Sequence, residues 1–488
     1  MIDLKKDENR LKRTIERARE RRVIIPTFQQ MKNPQAVPEQ IKNKLKEIGL
    51  WDVNPLNLFR ITWKNEPVSL GGLFADTNFM ELPKELTGVE ARILALVGKW
   101  FPTGSHKVGA TFGCLVPKLV SGQFDPTRQK AVWPSTGNFC RGGAYDATLL
   151  ACESIAILPE EMSQERFDWL SQLAGEVIQT PGCESNVKEI FDKCWELRKT
   201  RKEIVVFNQF DEFGNYLWHY AVTGSAAKEI LEKSLSDKER FAGFVATSGS
   251  AGTLSGCGDY LKERFPAAKT AVGEALQCPT LLLNGFGGHC IEGIGDKHVP
   301  WIHNVRNTDM VIAVDDIDCL CLIRLFNELA GKKFLKKTGV SETVIHDLPL
   351  LGISSVGNLI ASIKFAKYYE LTSQDVILTV FTDSMELYQS RLRELGEAQG
   401  RYTELEAAKD YHHSLIGARI DQMLELSYYD RLRIHNLKYF TWVEQQGKDV
   451  TELNAQWYDY PDYWKDIQSK EGEIDDLIAD FNQKTGLL

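Results

Sequence analysis

From Arg92 onward the chain alternates short, apolar, β-branched runs with stretches whose apolar residues recur at helical spacing. Strands are predicted at Arg92–Val97, Lys130–Trp133, Ser154–Leu158, Glu176–Thr180, Glu203–Phe207, Phe241–Thr247, Thr270–Glu274, Met310–Val314 and Val376–Phe381. Helices are predicted between most of them, at Gly142–Ala151, Gln164–Ala174, Asn186–Arg198, Gly224–Ser234, Leu254–Phe265, Asp316–Leu329 and Gly357–Tyr369. Alternation of this kind predicts an α/β protein with parallel sheets covered on both faces. Ligands in such sheets bind beyond the carboxyl ends of the strands. Ahead of this region, Leu4 to Arg22 reads as a charged helix, Ile41 to Ile48 as a second helix, and Leu56 to Trp63 as a strand. Beyond residue 400 the chain turns polar, helix-prone and rich in aromatics, as in Trp457-Tyr458-Asp459-Tyr460. That tail is expected to pack against the body or a second copy.

Composition narrows the class. With 488 residues, 43% hydrophobic and 26% charged, the chain is long enough for several domains with cores of their own. No run is long and apolar enough to span a bilayer, and the charged start has no signal-peptide core, so a cytoplasmic protein is expected. The formal charge of -9 argues against a nucleic-acid binder. The ten cysteines are scattered without a CxxC pair or a His-rich cluster, so no metal site is expected and the thiols read as buried and reduced. Cys140 draws attention because it lies two residues after Asn138.

Four segments carry candidate chemistry, each at the end of a predicted strand or near it. Lys107 stands in Gly104-Ser105-His106-Lys107 after the Arg92–Val97 strand, and a lysine amine can condense with an aldehyde. Ser248-Gly249-Ser250-Ala251-Gly252-Thr253 joins a strand to a helix, where small residues and free N–H groups can cup a phosphate. Its sequence lacks the Gly-Lys-Ser/Thr ending of a nucleotide loop. Ser135-Thr136-Gly137-Asn138 can hold a carboxylate or serve as a helix cap. Asp383-Ser384 follows the last strand of the body. Each alone has an ordinary structural explanation: a solvated lysine, a tight turn, a cap. His106 alone reads as a packing residue or a phosphate contact.

In their order these segments resemble the fold type II family of pyridoxal-phosphate enzymes, in its cysteine synthase and cystathionine β-synthase branch. The resemblance is carried by Gly104–Lys107, Ser135–Asn138, Asn208-Gln209-Phe210, His219 to Gly224, Ser248–Gly256, Ile291-Glu292-Gly293-Ile294-Gly295-Asp296, Gly352-Ile353-Ser354-Ser355 and Asp383-Ser384. It covers about Leu56 to Leu395. It implies two three-layer αβα domains with mostly parallel sheets: a large one from 1–100 and 216–400, a smaller mobile one from 101–215. Residues 1–55 would form an N-terminal extension and 401–488 a helical C-terminal extension.

The resemblance also implies roles. Lys107 would link to pyridoxal 5'-phosphate as an imine and later act as the base on the substrate's α-carbon. Asn138 would bond the cofactor's ring oxygen, and Gly249, Ser250, Ala251, Gly252 and Thr253 its phosphate. Gly293 and Gly295 would lie near its plane and Ser384 at its pyridine nitrogen. Ser135, Thr136 and Gln209 would hold the substrate carboxylate. A neutral hydroxyl at the ring nitrogen does not enforce its protonation, which suits prompt loss of a β-substituent. The implied reaction is β-replacement on an O-acetylserine, serine or cysteine type of amino acid through an aminoacrylate. The alternatives are a β-eliminating lyase releasing pyruvate and ammonia, and a non-catalytic binding or scaffold protein. A homodimer is expected, with no nucleic-acid or membrane partner. Two departures stand out: Phe139, where the branch has a small hydroxyl residue, and Trp133, where tryptophan synthase β chains are acidic.

Overall fold

The computed structural model describes every residue except 68–71, 136, 184–185 and 488. Its strands are β1 (Phe79–Leu82), β2 (Arg92–Val97), β3 (Lys130–Pro134), β4 (Glu153–Pro159), β5 (Glu176–Thr180), β6 (Ile204–Val206), β7 (Arg240–Thr247), β8 (Lys269–Ala275), β9 (Met310–Val314), β10 (Asp375–Phe381) and β11 (Met423–Glu425). They form a seven-stranded sheet, β1-β2-β10-β7-β8-β9-β11, and a four-stranded sheet, β5-β4-β3-β6. The four-stranded sheet is parallel throughout. In the larger sheet β2, β10, β7, β8 and β9 run parallel, and only β1 and β11 at the edges are antiparallel. Every position of β9 and β10 is buried, because helices cover both faces. β9 accordingly reads as an unbroken apolar run, and β10 is broken within its span only by Thr379, whose hydroxyl bonds the Val245 carbonyl, after the initial Asp375.

The expected strand at Leu56 to Trp63 is instead a 3-10 helix, Pro55–Arg60. Pro55 stands at its first turn, and Asn54 caps it by accepting from the Leu56 N–H at 3.0 Å. The buried Arg60 guanidinium then donates to the carbonyls of Ile48 and Leu45, each at 2.6 Å. The edge strands β1 and β11 are too short, at four and three residues, to leave a periodic signal.

Residues 401–487 are helical apart from connections and β11, and they pack against the body. Trp442 donates its indole N–H to the Val299 carbonyl at 2.8 Å. Lys438 Nζ bonds the carbonyls of Trp301 (2.9 Å) and His303 (2.7 Å) and Gln456 Oε1 (2.8 Å). Asn482 clasps both backbone groups of Ile25, which ties the last helix, Asp462–Thr485, to the first residues of the chain. Among the described residues no helix is long and apolar enough to cross a membrane.

Candidate active site

The carboxyl ends of β2, β3, β6, β7 and β10 bring Lys107, Asn138, Gln209, the Gly249–Thr253 turn and Thr382 to one cleft. After β2 the chain turns through Thr103 and Gly104, whose φ angles are 69° and 74°. A Cβ on Gly104 would also lie 2.7 Å from the Trp51 ring, so glycine is required there on two counts. This turn delivers Lys107 to the start of the Lys107–Val120 helix, with Nζ 3.1 Å from Ser250 Oγ. Burial draws the Lys107 amine down to about 8, partly opposed by the charge of Asp296. A large fraction of it is therefore neutral and nucleophilic at mildly alkaline pH.

Facing the amine is the turn from β7 into the helix Gly252–Arg264. Ala251 takes a left-handed conformation (φ 60°) that reverses the chain, and Gly252 approaches Asn215 so closely that a Cβ would lie 2.2 Å from Asn215 Oδ1. Asn215 Nδ2 donates to Ser250 Oγ at 2.9 Å and fixes that hydroxyl beside Lys107. No acidic side chain occupies the helix's first turn. Its free N–H groups, the Ser250 hydroxyl and the Lys107 amine together make a site for an anion joined to an electrophile.

On the other walls stand Ser135, Asn138, Phe139, Gln209, Phe210, Gly293, Ile294, Ser354 and Thr382. Gln209 Nε2 donates to Ser135 Oγ at 3.1 Å, joining two of the expected carboxylate-binding groups. Thr136, the third, lies outside the described residues. Phe139 is fully buried and packs edge-on to Trp133, with ring centroids 5.5 Å apart. Cys140 is inert: burial pushes its thiol up to about 12.

Ser384 and Gly295 depart from expectation, since neither lines the cleft. After β10 the chain presents Thr382 to the cleft, and Ser384 then opens a 3-10 turn with its hydroxyl buried and unpartnered. The hydroxyl on that wall belongs to Ser354, at the start of the helix Ile353–Tyr368 and 2.9 Å from Thr382 Oγ1. Gly295 is covered by the His289 ring, whose Nε2 bonds its carbonyl at 2.8 Å.

Two histidines behind the phosphate-type turn have fixed protons. The Thr382 carbonyl only accepts, so His106 Nδ1 (3.1 Å) carries hydrogen and His106 Nε2 accepts from Thr253 Oγ1 (3.0 Å). Thr253 then accepts from His219 Nε2 at 3.2 Å, and His219 Nδ1 accepts from Thr223 at 2.9 Å. Trp63, a pure donor, completes the line to Thr223 at 3.0 Å. Burial holds both imidazoles neutral, with His106 drawn down to about 3. His106 thus packs and positions, and His219, Thr382, Asn215 and Ser354 are site residues without a role among the sequence-based expectations.

A family model described as "Pyridoxal-phosphate dependent enzyme" matches residues 74–332. The chain belongs to this family. Among curated relatives, cystathionine β-synthase of Saccharomyces cerevisiae is 28% identical over 319 residues, 64% of this chain and 59% of the yeast protein, so the alignment leaves out about two fifths of that enzyme. A probable cysteine synthase of Bacillus subtilis is 27% identical over 318 residues, 65% of this chain and 94% of its own. Among solved structures, an O-acetylserine dependent cystathionine β-synthase of Helicobacter pylori aligns with TM-score 0.53 and 25% identity, covering 64% of this chain and 94% of its own. A hydrogen sulfide-producing enzyme of Fusobacterium nucleatum aligns with TM-score 0.54 and 26% identity, covering 68% of this chain and 92% of its own. The branch is that of cysteine synthase and cystathionine β-synthase, and the cofactor is pyridoxal phosphate.

The residues present fit that cofactor. A half-buried lysine amine with lowered proton affinity suits its aldehyde, and the helix N-terminus that follows Ser250, whose Oγ lies 3.1 Å from that amine, suits its phosphate. A Cβ on Gly249 would meet the Gly293 carbonyl at 2.8 Å, so the small residues of the turn keep its backbone closed around that space.

Proposed function

We propose that this enzyme carries out β-replacement on a small amino acid with a β-leaving group, of the O-acetylserine, serine or cysteine type. Bound pyridoxal phosphate supplies an electron sink for negative charge on the substrate's α-carbon. In this reading Lys107 Nζ would hold the cofactor's aldehyde and would serve as the base for the substrate's α-proton. Ser250 and the N–H groups of Gly252 and Thr253 hold the phosphate, and Gly249 and Ala251 give the turn its shape. Ser135, Thr136 and Gln209 hold the carboxylate, while Asn138 faces the ring oxygen. Ser354 takes the place at the ring nitrogen, where its neutral hydroxyl leaves that nitrogen free to stay unprotonated. That restraint would suit loss of a β-substituent.

The observation that carries the reading is the shared cleft of the Lys107 amine, the Ser250 turn and the Ser354 hydroxyl. The second reading is β-elimination with release of pyruvate and ammonia, which is compatible with similarity to a hydrogen sulfide-producing enzyme, as replacement of the cysteine thiol also is. Both share every residue role above and differ in whether a thiol or water completes the reaction. The test has two stages. Borohydride reduction of the purified holoenzyme followed by peptide mapping should find a pyridoxyl group on Lys107; its absence there ends the proposal. Incubation with O-acetylserine or cysteine, with and without sulfide, then separates the readings. Pyruvate formed at full rate without a nucleophile would favour elimination.

A further inference from the structure

Asp383 is fully buried, does not line the cleft, and touches the residue that does. Its Oδ2 accepts from Asn138 Nδ2 at 2.5 Å and from the Tyr388 hydroxyl at 2.6 Å. Arg166 Nη2 donates to the same Tyr388 hydroxyl at 3.2 Å, and a guanidinium has only hydrogens to give. Tyr388 must therefore turn its own hydrogen toward Asp383. Arg166 pairs in turn with the buried Glu292, which also holds Arg391 Nε at 2.6 Å. The network ends on two carboxylates: Glu292 takes the two guanidinium groups, and Asp383 is where the Asn138 and Tyr388 donors meet.

We propose that Asp383 is a positioning residue: it fixes the rotamer of the Asn138 amide so that the cleft is offered N–H and not the carbonyl. A carboxylate only accepts, so of the two amide orientations only the one with Nδ2 toward Asp383 is allowed. The flipped amide would set a carbonyl oxygen against Oδ2 inside a buried network, where like partial charges are not screened. One Nδ2 hydrogen is spent on Asp383. The other is the donor left for an acceptor in the cleft.

Asp383 is itself held from two sides. Its carbonyl accepts from the Gly352 N–H at 3.1 Å, and it pairs across a β-bridge with Ser105, two residues before Lys107. The carboxylate is thereby referenced to the strand end that carries the lysine. It also joins the two sheets' surroundings: Asn138 and Arg166 flank β3 and β4, whereas Asp383, Tyr388 and Arg391 follow β10. Asp383 acts through Asn138 and has no cleft surface of its own.

This inference rests on the reading that Asn138 faces the ring oxygen of pyridoxal phosphate. Asp383→Asn keeps the volume but lets either end of the Asn138 amide face it. Measured on the purified holoenzyme, this variant should hold pyridoxal phosphate about tenfold more weakly, the order of one charge-assisted hydrogen bond. The visible spectrum of the bound cofactor should shift as well. In an Asn138→Ala background the same substitution should change retention by less than about twofold, because the group it orients is gone. Equal losses in both backgrounds would mean a general packing role and would overturn the proposal, as would an unchanged spectrum and retention in Asp383→Asn. If Asp383→Asn does not fold, Tyr388→Phe removes one donor from Asp383 and should give a smaller shift of the same sign, again abolished by Asn138→Ala. Equal shifts in both backgrounds, or none in either, would overturn the proposal on that variant. Borohydride labelling of Lys107 in the unmodified enzyme keeps the two failures apart: labelling without coupling sinks only the Asp383 role, and no labelling sinks the cofactor reading beneath it.

Discussion

Lys107 Nζ and Ser250 Oγ stand 3.1 Å apart although 143 residues separate them in the chain. One belongs to the helix that follows β2, the other to the turn that follows β7, and β10 lies between those strands in the sheet. The amine is therefore set over the anion-binding helix end by the order of strands, and the burial that results lowers its proton affinity.

Capture of pyridoxal phosphate by the apoenzyme should report that burial. Only a neutral amine attacks the aldehyde, and the Lys107 amine loses its proton near 8 where an ordinary lysine does so near 10.5. The capture rate, followed by visible absorbance, should rise with pH through about 8 and level off above it. A rate still climbing steeply through pH 10 would show an amine with ordinary proton affinity.

Ser354 and Ser384 should behave oppositely when changed. Ser354→Asp places an acid on the cleft wall and should favour a protonated ring nitrogen, altering the cofactor's spectrum and lowering turnover at least tenfold, about one pKa unit's worth of altered electronics. Ser384→Ala removes a buried hydroxyl that bonds nothing. It should leave the spectrum unchanged and stability within about 1 kcal/mol. Reversed results would return the ring nitrogen to Ser384.

Those two serines mark where the sequence stops being sufficient. Lys107, the Ser248–Thr253 turn and the alternation of strands were legible because each depends on local chemistry: an amine, small residues, apolar runs. Which serine faces the cleft depends on how the chain leaves β10, and nothing in Thr382-Asp383-Ser384 states that Thr382 turns inward. The 3-10 helix at Pro55–Arg60 was hidden because its form is held by the distant carbonyls that Arg60 reaches. The Asp383 contact to Asn138 spans 245 residues and has no local signature at all.

Gln209 should reveal itself in KM. Its amide meets Ser135 Oγ at 3.1 Å on the wall assigned to the substrate carboxylate. Gln209→Ala should raise KM for the amino acid about tenfold with a smaller effect on kcat, since the carboxylate is held equally before and during proton removal. A fall in kcat alone, with KM unchanged, would move Gln209 out of substrate binding.

Gly252→Ala tests the closeness of the anion-binding turn. The new methyl would sit 2.2 Å from Asn215 Oδ1, so Asn215 must move and release Ser250 Oγ. Stability should fall by about 2 kcal/mol through overpacking, and pyridoxal phosphate should be held more weakly in equilibrium dialysis. A variant with unchanged cofactor affinity would show that Ser250 needs no support from Asn215.

The C-terminal extension should matter for stability and not for the chemistry. Lys438 is wholly buried, and its amine bonds three oxygens: the Trp301 carbonyl, the Gln456 amide and the His303 carbonyl, which also accepts from the Val305 N–H at 3.0 Å. Lys438→Met keeps most of the side-chain volume and leaves the Trp301 carbonyl and the Gln456 amide oxygen without that donor. Each stranded buried acceptor costs about 1–3 kcal/mol, softened where water enters, so a net loss of about 3 kcal/mol is expected. Thermal unfolding should register it as a fall of several degrees, since about 2–4 °C accompanies each 1 kcal/mol in chains of 150–250 residues and less in longer ones. The residues it anchors, 301–303, lie outside the cleft lining, so the cofactor spectrum should stay as in the unmodified enzyme. A spectral change with little loss of stability would instead tie the extension to the active site through the segment from Gly293 to His303.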